Sequence, residues 1–133
     1  MYQSKSLGVV GEQELINVLK QQVDLDREIE RAKISLTLMP DFNLHDAFSI
    51  FDELNKAYIS SYDLEKALNR LNIYAARDEG DLIVRHFSKG GSRLNFSEFS
   101  LIFASRDPDY ERRLSIRPRE GRRMFSYETE AKM

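Results

Sequence analysis

The chain of 133 residues has no cysteine and no tryptophan. Without thiols, disulfide staples, zinc–thiolate sites and cysteine nucleophiles are excluded. Stability must come from apolar burial, and the length suffices for one domain to bury a real core. The missing thiols fit a reducing compartment. Neither sign of charge dominates: 20 Lys and Arg stand against 22 Asp and Glu, a net charge of −2. That balance argues against a dedicated nucleic-acid binder. No apolar run approaches the roughly 18 residues of a membrane span, and MYQSKSLGVVGEQE lacks a signal-peptide core. The expected setting is cytoplasmic and cytoskeletal, with no membrane partner.

Catalytic constellations are scarce as well. His45 and His86 are single residues on separate segments, and Gly90–Gly91 is a turn signal with no strand before it. Nothing in the spacing of Ser, His and Asp suggests a triad. No enzyme, no catalytic residue and no cofactor are expected.

What is present is helical pattern, in a composition 41% apolar and 32% charged. Residues 1–11 read as a flexible lead and 12–39 as one long helix, since no Gly or Pro occurs from Glu12 to Leu38. Leu15, Val18, Gln22, Leu25, Ile29, Ala32, Leu36 and Met39 follow alternating three- and four-residue steps. Seven of these eight positions are apolar, as in a coiled-coil seam. Ile16, Leu19 and Val23 widen the stripe in its first half. Such a helix is roughly 40 Å long. It either folds back on its own domain or pairs with another chain. Leu15, Val18, Gln22, Leu25, Ile29 and Leu36 are the partner-binding candidates.

Pro40 ends this helix. Residues 41–104 then repeat one layout: an apolar helical face, a polar loop with one aliphatic residue, and a second face. DAFSIFDELNKAYISSYDLEKAL carries Ile59 in its loop, and DLIVRHFSKGGSRLNFSEFSLIF carries Leu94 about 35 residues later. Capping pairs recur with the aliphatics, Ser60 with Asp63 and Asn95 with Glu98, while Asn43 with Asp46 caps the lead-in helix. Gly80 falls in the third helix of the repeat, Asp78 to Phe87. Residues 105–133 read as a short helix, capped by Asp107 with Pro108 at its first position, and then a basic extended tail without a core of its own. From Arg106 to Arg123 seven arginines face four acidic residues, a local charge of +3.

Two helix–loop–helix units with paired loop aliphatics invite comparison with calcium-binding loops. Those take oxygen ligands from positions 1, 3, 5, 7, 9 and 12 and a glycine at position 6. With Ile59 at position 8, the first loop offers Asp52, Leu54, Lys56, Ser60 and Asp63 at positions 1, 3, 5, 9 and 12, with Ala57 at position 6. Two ligand positions have become an apolar side chain and a cation. In the second loop Phe87 is either position 1 or the residue before a loop one residue short. It has no Asp, while Lys89 and Arg93 are basic. Asp52, Ser60, Asp63 and Glu98 are vestigial ligand positions, and calcium is not expected at either loop.

On FSIFDELNKAYISSYDL and VRHFSKGGSRLNFSEF, residues 41–103 resemble the EF-hand superfamily of calmodulin and centrin type. The longer stretch LMPDFNLHDAFSIFDELNKAYISSYDLEKALNRLNIY, with NFSEFSLIFASRDPDYERRL, resembles EF-hand proteins of cilia and flagella in protists. The resemblance implies an all-α fold, with an EF-hand pair bridged by a short β-contact near Ile59 and Leu94. It does not by itself imply calcium sensing. The expected function is a structural or adaptor protein, independent of calcium, that binds partner proteins in a cytoskeletal, ciliary assembly. The alternative is a calcium-sensing regulatory subunit resembling a light chain. Without a switch ion, a helix should fill the apolar groove of the pair, either residues 12–38 or a partner's helix. Phe48, Phe51, Leu68, Leu71, Phe99, Ile102 and Phe103 are the expected lining. Arg112, Arg113, Arg117, Arg119, Arg122 and Arg123 are candidates for binding carboxylates, such as tubulin tails, or for simple solvation.

Overall fold

The computed structural model describes residues 8–74 and 77–133, with the side chains of residues 8, 9, 77 and 127 outside the description. The first seven residues of the expected lead, and part of the expected link from Asn72 to Arg77, lie outside the described residues. Seven helices are described: α1 (Gly8–Thr37), α2 (Leu44–Phe51), α3 (Ser61–Arg70), α4 (Arg77–Phe87), α5 (Phe96–Phe103), α6 (Pro108–Ser115) and α7 (Tyr127–Lys132). Two short strands, β1 (Ile59–Ser60) and β2 (Arg93–Leu94), complete the elements. The protein is mostly helical with one small two-stranded sheet.

Local chemistry explains where the helices start. Asn43 accepts the Asp46 N–H at 2.8 Å and caps α2. Ser60 with Asp63, and Asn95 with Glu98, form reciprocal capping boxes on α3 and α5. Asp107 caps α6, where Pro108 sits in the first turn. The long helix begins earlier than composition suggests. Gly8 to Gly11 are helical, so a single interior glycine has not stopped it.

The two helix–loop–helix units meet through an antiparallel bridge pairing Ile59 with Leu94 and Ser60 with Arg93. Both aliphatics are fully buried. Beneath them Phe99 packs edge-on against Phe48 and Phe51 and against Phe103, with centroids 5.2–5.5 Å apart. Gly80 lies inside α4 and is buried.

The segment after α6 departs from expectation. Read as an extended tail without a core, it instead crosses back over the α1–α2 junction as a strap ending in α7. Phe125 is 4% exposed, its ring tilted against that of the fully buried Phe42 with centroids 5.2 Å apart, and Leu114 of α6 is 2% exposed. Sparse apolar residues hid this, because each fills a place built by distant chain.

Candidate functional site

In the first loop, Asp52 ends α2 and turns its carboxylate into the loop. It accepts the Lys56 N–H at 3.0 Å and the Ala57 N–H at 2.7 Å. Those bonds hold Asn55 and Ala57 at φ of 54° and 71°. Ala57 thus adopts the left-handed turn that position 6 demands, without the glycine that normally supplies it. Leu54, at position 3, points to solvent at 75% exposure. The Lys56 ammonium lies 2.7 Å from Asp63 Oδ2, which also receives the Ser60 N–H and hydroxyl. Burial pushes the Asp63 carboxyl up, but the bonds from Lys56 and Ser60 outweigh it and hold the group below its ordinary value. The hydrogen bond to Asp63 raises the Lys56 ammonium above its own.

These residues do not fit a calcium ion. Position 12 is already neutralised by a side chain of the loop itself, position 3 has no oxygen, and Asp52 spends both oxygens on backbone amides. Among the described residues, no group of three or more acidic or His side chains is placed to hold a metal.

The second loop resolves the alternatives left by the sequence. Helix α4 runs through Phe87, and Ser88 and Gly90 donate their N–H groups back to Val84 and Arg85. Phe87 therefore precedes the loop, as Phe51 does, and the loop is one residue short. Lys89 and Gly90 turn with φ of 56° and 92°. Glu98 accepts the Asn95 N–H at 2.9 Å as a helix cap. Arg93 lies over the Tyr58 ring at 4.4 Å, and Lys56 lies 4.9 Å from the same ring. One aromatic residue thus joins the cations of both loops.

On the far side of the pair lies an apolar cavity of about 120 Å³. Phe51, Leu68, Leu71, Phe99, Ile102 and Phe103 line it as expected, and Phe48 does not. Its occupant was expected to be α1 or a partner's helix. Met133, just after α7, also lines it, and α1 borders the adjoining crevice through Ile29, Ala32, Lys33 and Leu36.

Helix α1 divides in two. Its last turns dock on the body: Leu36 is 2% exposed, which removes it from the partner-binding candidates. Glu30 accepts the Ser105 hydroxyl and the Arg106 N–H, and Arg106 pairs with Asp26 at 2.7 Å. Burial raises the Glu30 carboxyl, and the bonds from Ser105 and Arg106 bring it below its ordinary value. Beyond this clamp the helix is bare. Leu15, Val18, Leu25 and Ile29 are 45–56% exposed, and Gln22 is exposed beside them.

The arginines also separate. Arg112, Arg113, Arg119, Arg122 and Arg123 are exposed, with Arg113 near the Tyr110 ring and Arg122 paired to Glu120 at 2.6 Å. Arg117 is not a surface ligand. Its guanidinium donates to the carbonyls of Thr37, Met39 and Phe42, closing the end of α1 and the turn behind it. Burial lowers its proton affinity. Next to it, the Asp46 carboxylate accepts Asn43 Nδ2 and the consecutive N–H groups of Glu120, Gly121 and Arg122. Burial works against the charge, yet these bonds keep the carboxyl below its ordinary value. Gly121, at φ of 77°, makes the amide concavity possible. Asp41 likewise accepts the Ser126 N–H and the Thr129 hydroxyl. Sequence reasoning missed Asp41, Asp46 and Arg117 as the strap's anchors. Only the helix cap at Asp46 carried a local signal.

No protein-family model matches the chain. Over 67 residues, 50% of the chain, it is 31% identical to Calcium-dependent protein kinase 34 of Arabidopsis thaliana and, to the same extent, to Calcium-dependent protein kinase 17 of that plant. The matched stretch spans 13% of each kinase. This partial likeness hints at an EF-hand region in the chain.

Proposed function

We propose that this chain is a non-catalytic adaptor built on a degenerate EF-hand pair whose first loop carries its own cation. The observation behind this reading is the Lys56 ammonium 2.7 Å from Asp63, where the frame of the loop would bring a bound ion. A fixed ammonium cannot dissociate, so the two units have no ion-driven reason to open or close. The projecting half of α1 and the exposed arginines Arg112, Arg113, Arg119, Arg122 and Arg123 then serve as partner-binding surfaces. The sequence resemblance to ciliary EF-hand proteins suggests a cytoskeletal, axonemal assembly as the setting.

The test is thermal unfolding with and without calcium at about 1 mM, well above the affinity range of sensor sites. The melting temperature should not move. A rise of several degrees that Asp52→Ala abolishes would favour the second reading, a calcium-sensing subunit, which the likeness to two calcium-dependent kinases supports. For the arginine surface, binding to an acidic partner peptide should weaken as salt rises from roughly 0.05 to 0.3 M. Unchanged binding would remove electrostatic tethering from the account.

A further inference from the structure

The bare half of α1 leads into a crevice. Ile29, Ala32, Lys33 and Leu36 of α1, with Ile102, Phe103, Lys132 and Met133 opposite, enclose about 250 Å³ at the foot of the same seam that carries Leu15, Val18, Gln22 and Leu25. Charge is graded along this path. The N-terminal end of α1 has Glu12 and Glu14 and no cation before Lys20, whereas the crevice is flanked by Lys33 and Lys132. One end is apolar and acidic, the other is a hollow with cationic sides. The two ends complement each other.

We infer that the exposed seam of α1 is covered by α1 of a second copy of this chain, running antiparallel, with Leu15 of each copy at the crevice of the other. This rests on the reading of α1 as a partner-binding surface and names its partner. In the favoured register Leu15 stands opposite Ala32, Val18 opposite Ile29 and Gln22 opposite Leu25, and Glu12 lies beside Lys33 of the other copy. Each contact occurs twice, as a two-fold interface requires. A shift of one heptad would bring Glu14 against Glu28 and Glu12 against Asp26, two like-charge pairs. The overlap from residue 12 to 33 is about 30 Å long, and it would cover Leu15, Val18, Leu19, Leu25 and Ile29, each 45–56% exposed in one chain.

Sedimentation equilibrium of the full chain should give twice 15.5 kDa; a monomer at every concentration up to about 100 μM, a range that would reveal even weak pairing, overturns the inference. Val18→Asp should yield a monomer with the melting temperature of the body unchanged, and a persistent dimer would place the interface elsewhere. Because the chain has no cysteine, a mixture of Val18→Cys and Ile29→Cys should form the mixed disulfide on oxidation. A disulfide between two copies of Val18→Cys instead would sink the antiparallel arrangement. Glu12→Lys and Lys33→Glu should each weaken the dimer about tenfold and restore it when combined; failure to restore overturns the register. Calcium-independent melting and the salt response of the arginine surface do not depend on pairing, so the adaptor reading stands or falls separately.

Discussion

At residue scale, the first loop makes a left-handed turn at Ala57 without a glycine. Ala57 holds φ at 71°, where a Cβ is strained by about 1 kcal/mol. Ala57→Gly should therefore stabilise the protein by about that amount, read as a higher midpoint in urea unfolding. Gly80 offers the opposite case. It is interior to α4, and a Cβ there would meet only the Ser61 carbonyl at an ordinary 3.7 Å. Gly80→Ala should add about 0.4–1 kcal/mol. If either change lowers the midpoint, the local backbone argument for that site fails. Lys56→Met removes the counter-charge of Asp63, so the melting temperature should fall, and calcium should not restore it because position 3 remains Leu54.

At the scale of elements, the strap over the α1–α2 junction sets the direction in which α1 projects. Asp46 gathers one side-chain and three backbone donors from Asn43 and residues 120–122. Asp46→Ala would strand those donors, and a loss of about 2–3 kcal/mol is expected from charge-assisted bonds of this kind. Arg117→Met should cost a similar amount by leaving the carbonyls of Thr37, Met39 and Phe42 unpaired. It should also raise hydrogen exchange in the last turn of α1, and unchanged exchange there would show that the guanidinium does not hold the junction. The helices and their caps were legible because cap and capped amide lie within three residues. The strap was not, since its bonds join residues about 75–88 apart and follow no periodicity.

For the whole molecule, Glu30, Asp41, Asp46 and Asp63 share a direction: each carboxyl is held below its ordinary value by donors that outweigh its burial. Unfolded, these groups titrate at about 3.9–4.3. As pH falls, the unfolded chain takes up their protons first. The stabilisation is therefore complete above about pH 5 and is lost as pH drops through the lowered folded values. Thermal midpoints should be flat from about pH 5 to 7 and fall steeply below about pH 4. Asp46→Asn should make that acid limb shallower. A limb of unchanged steepness would mean that other groups carry the acid sensitivity.

The sequence alone determined the helical class and the repeated helix–loop–helix layout, since period, capping pairs and loop aliphatics are local signals written twice; the meeting of Ile59 with Leu94 was implied by the family resemblance and is seen in the structure. Aligned on a calcium-binding loop, it also set Leu54 and Lys56 at positions that would otherwise carry oxygen ligands. Only the tertiary structure decided what took their place. Lys56 reaches Asp63 because the loop turns on Asp52, Arg117 is withdrawn from the surface because α1 ends beneath it, and Met133 enters the groove because the strap returns. Such placements depend on which distant segments share a space, a property of the packed chain that no window of residues contains.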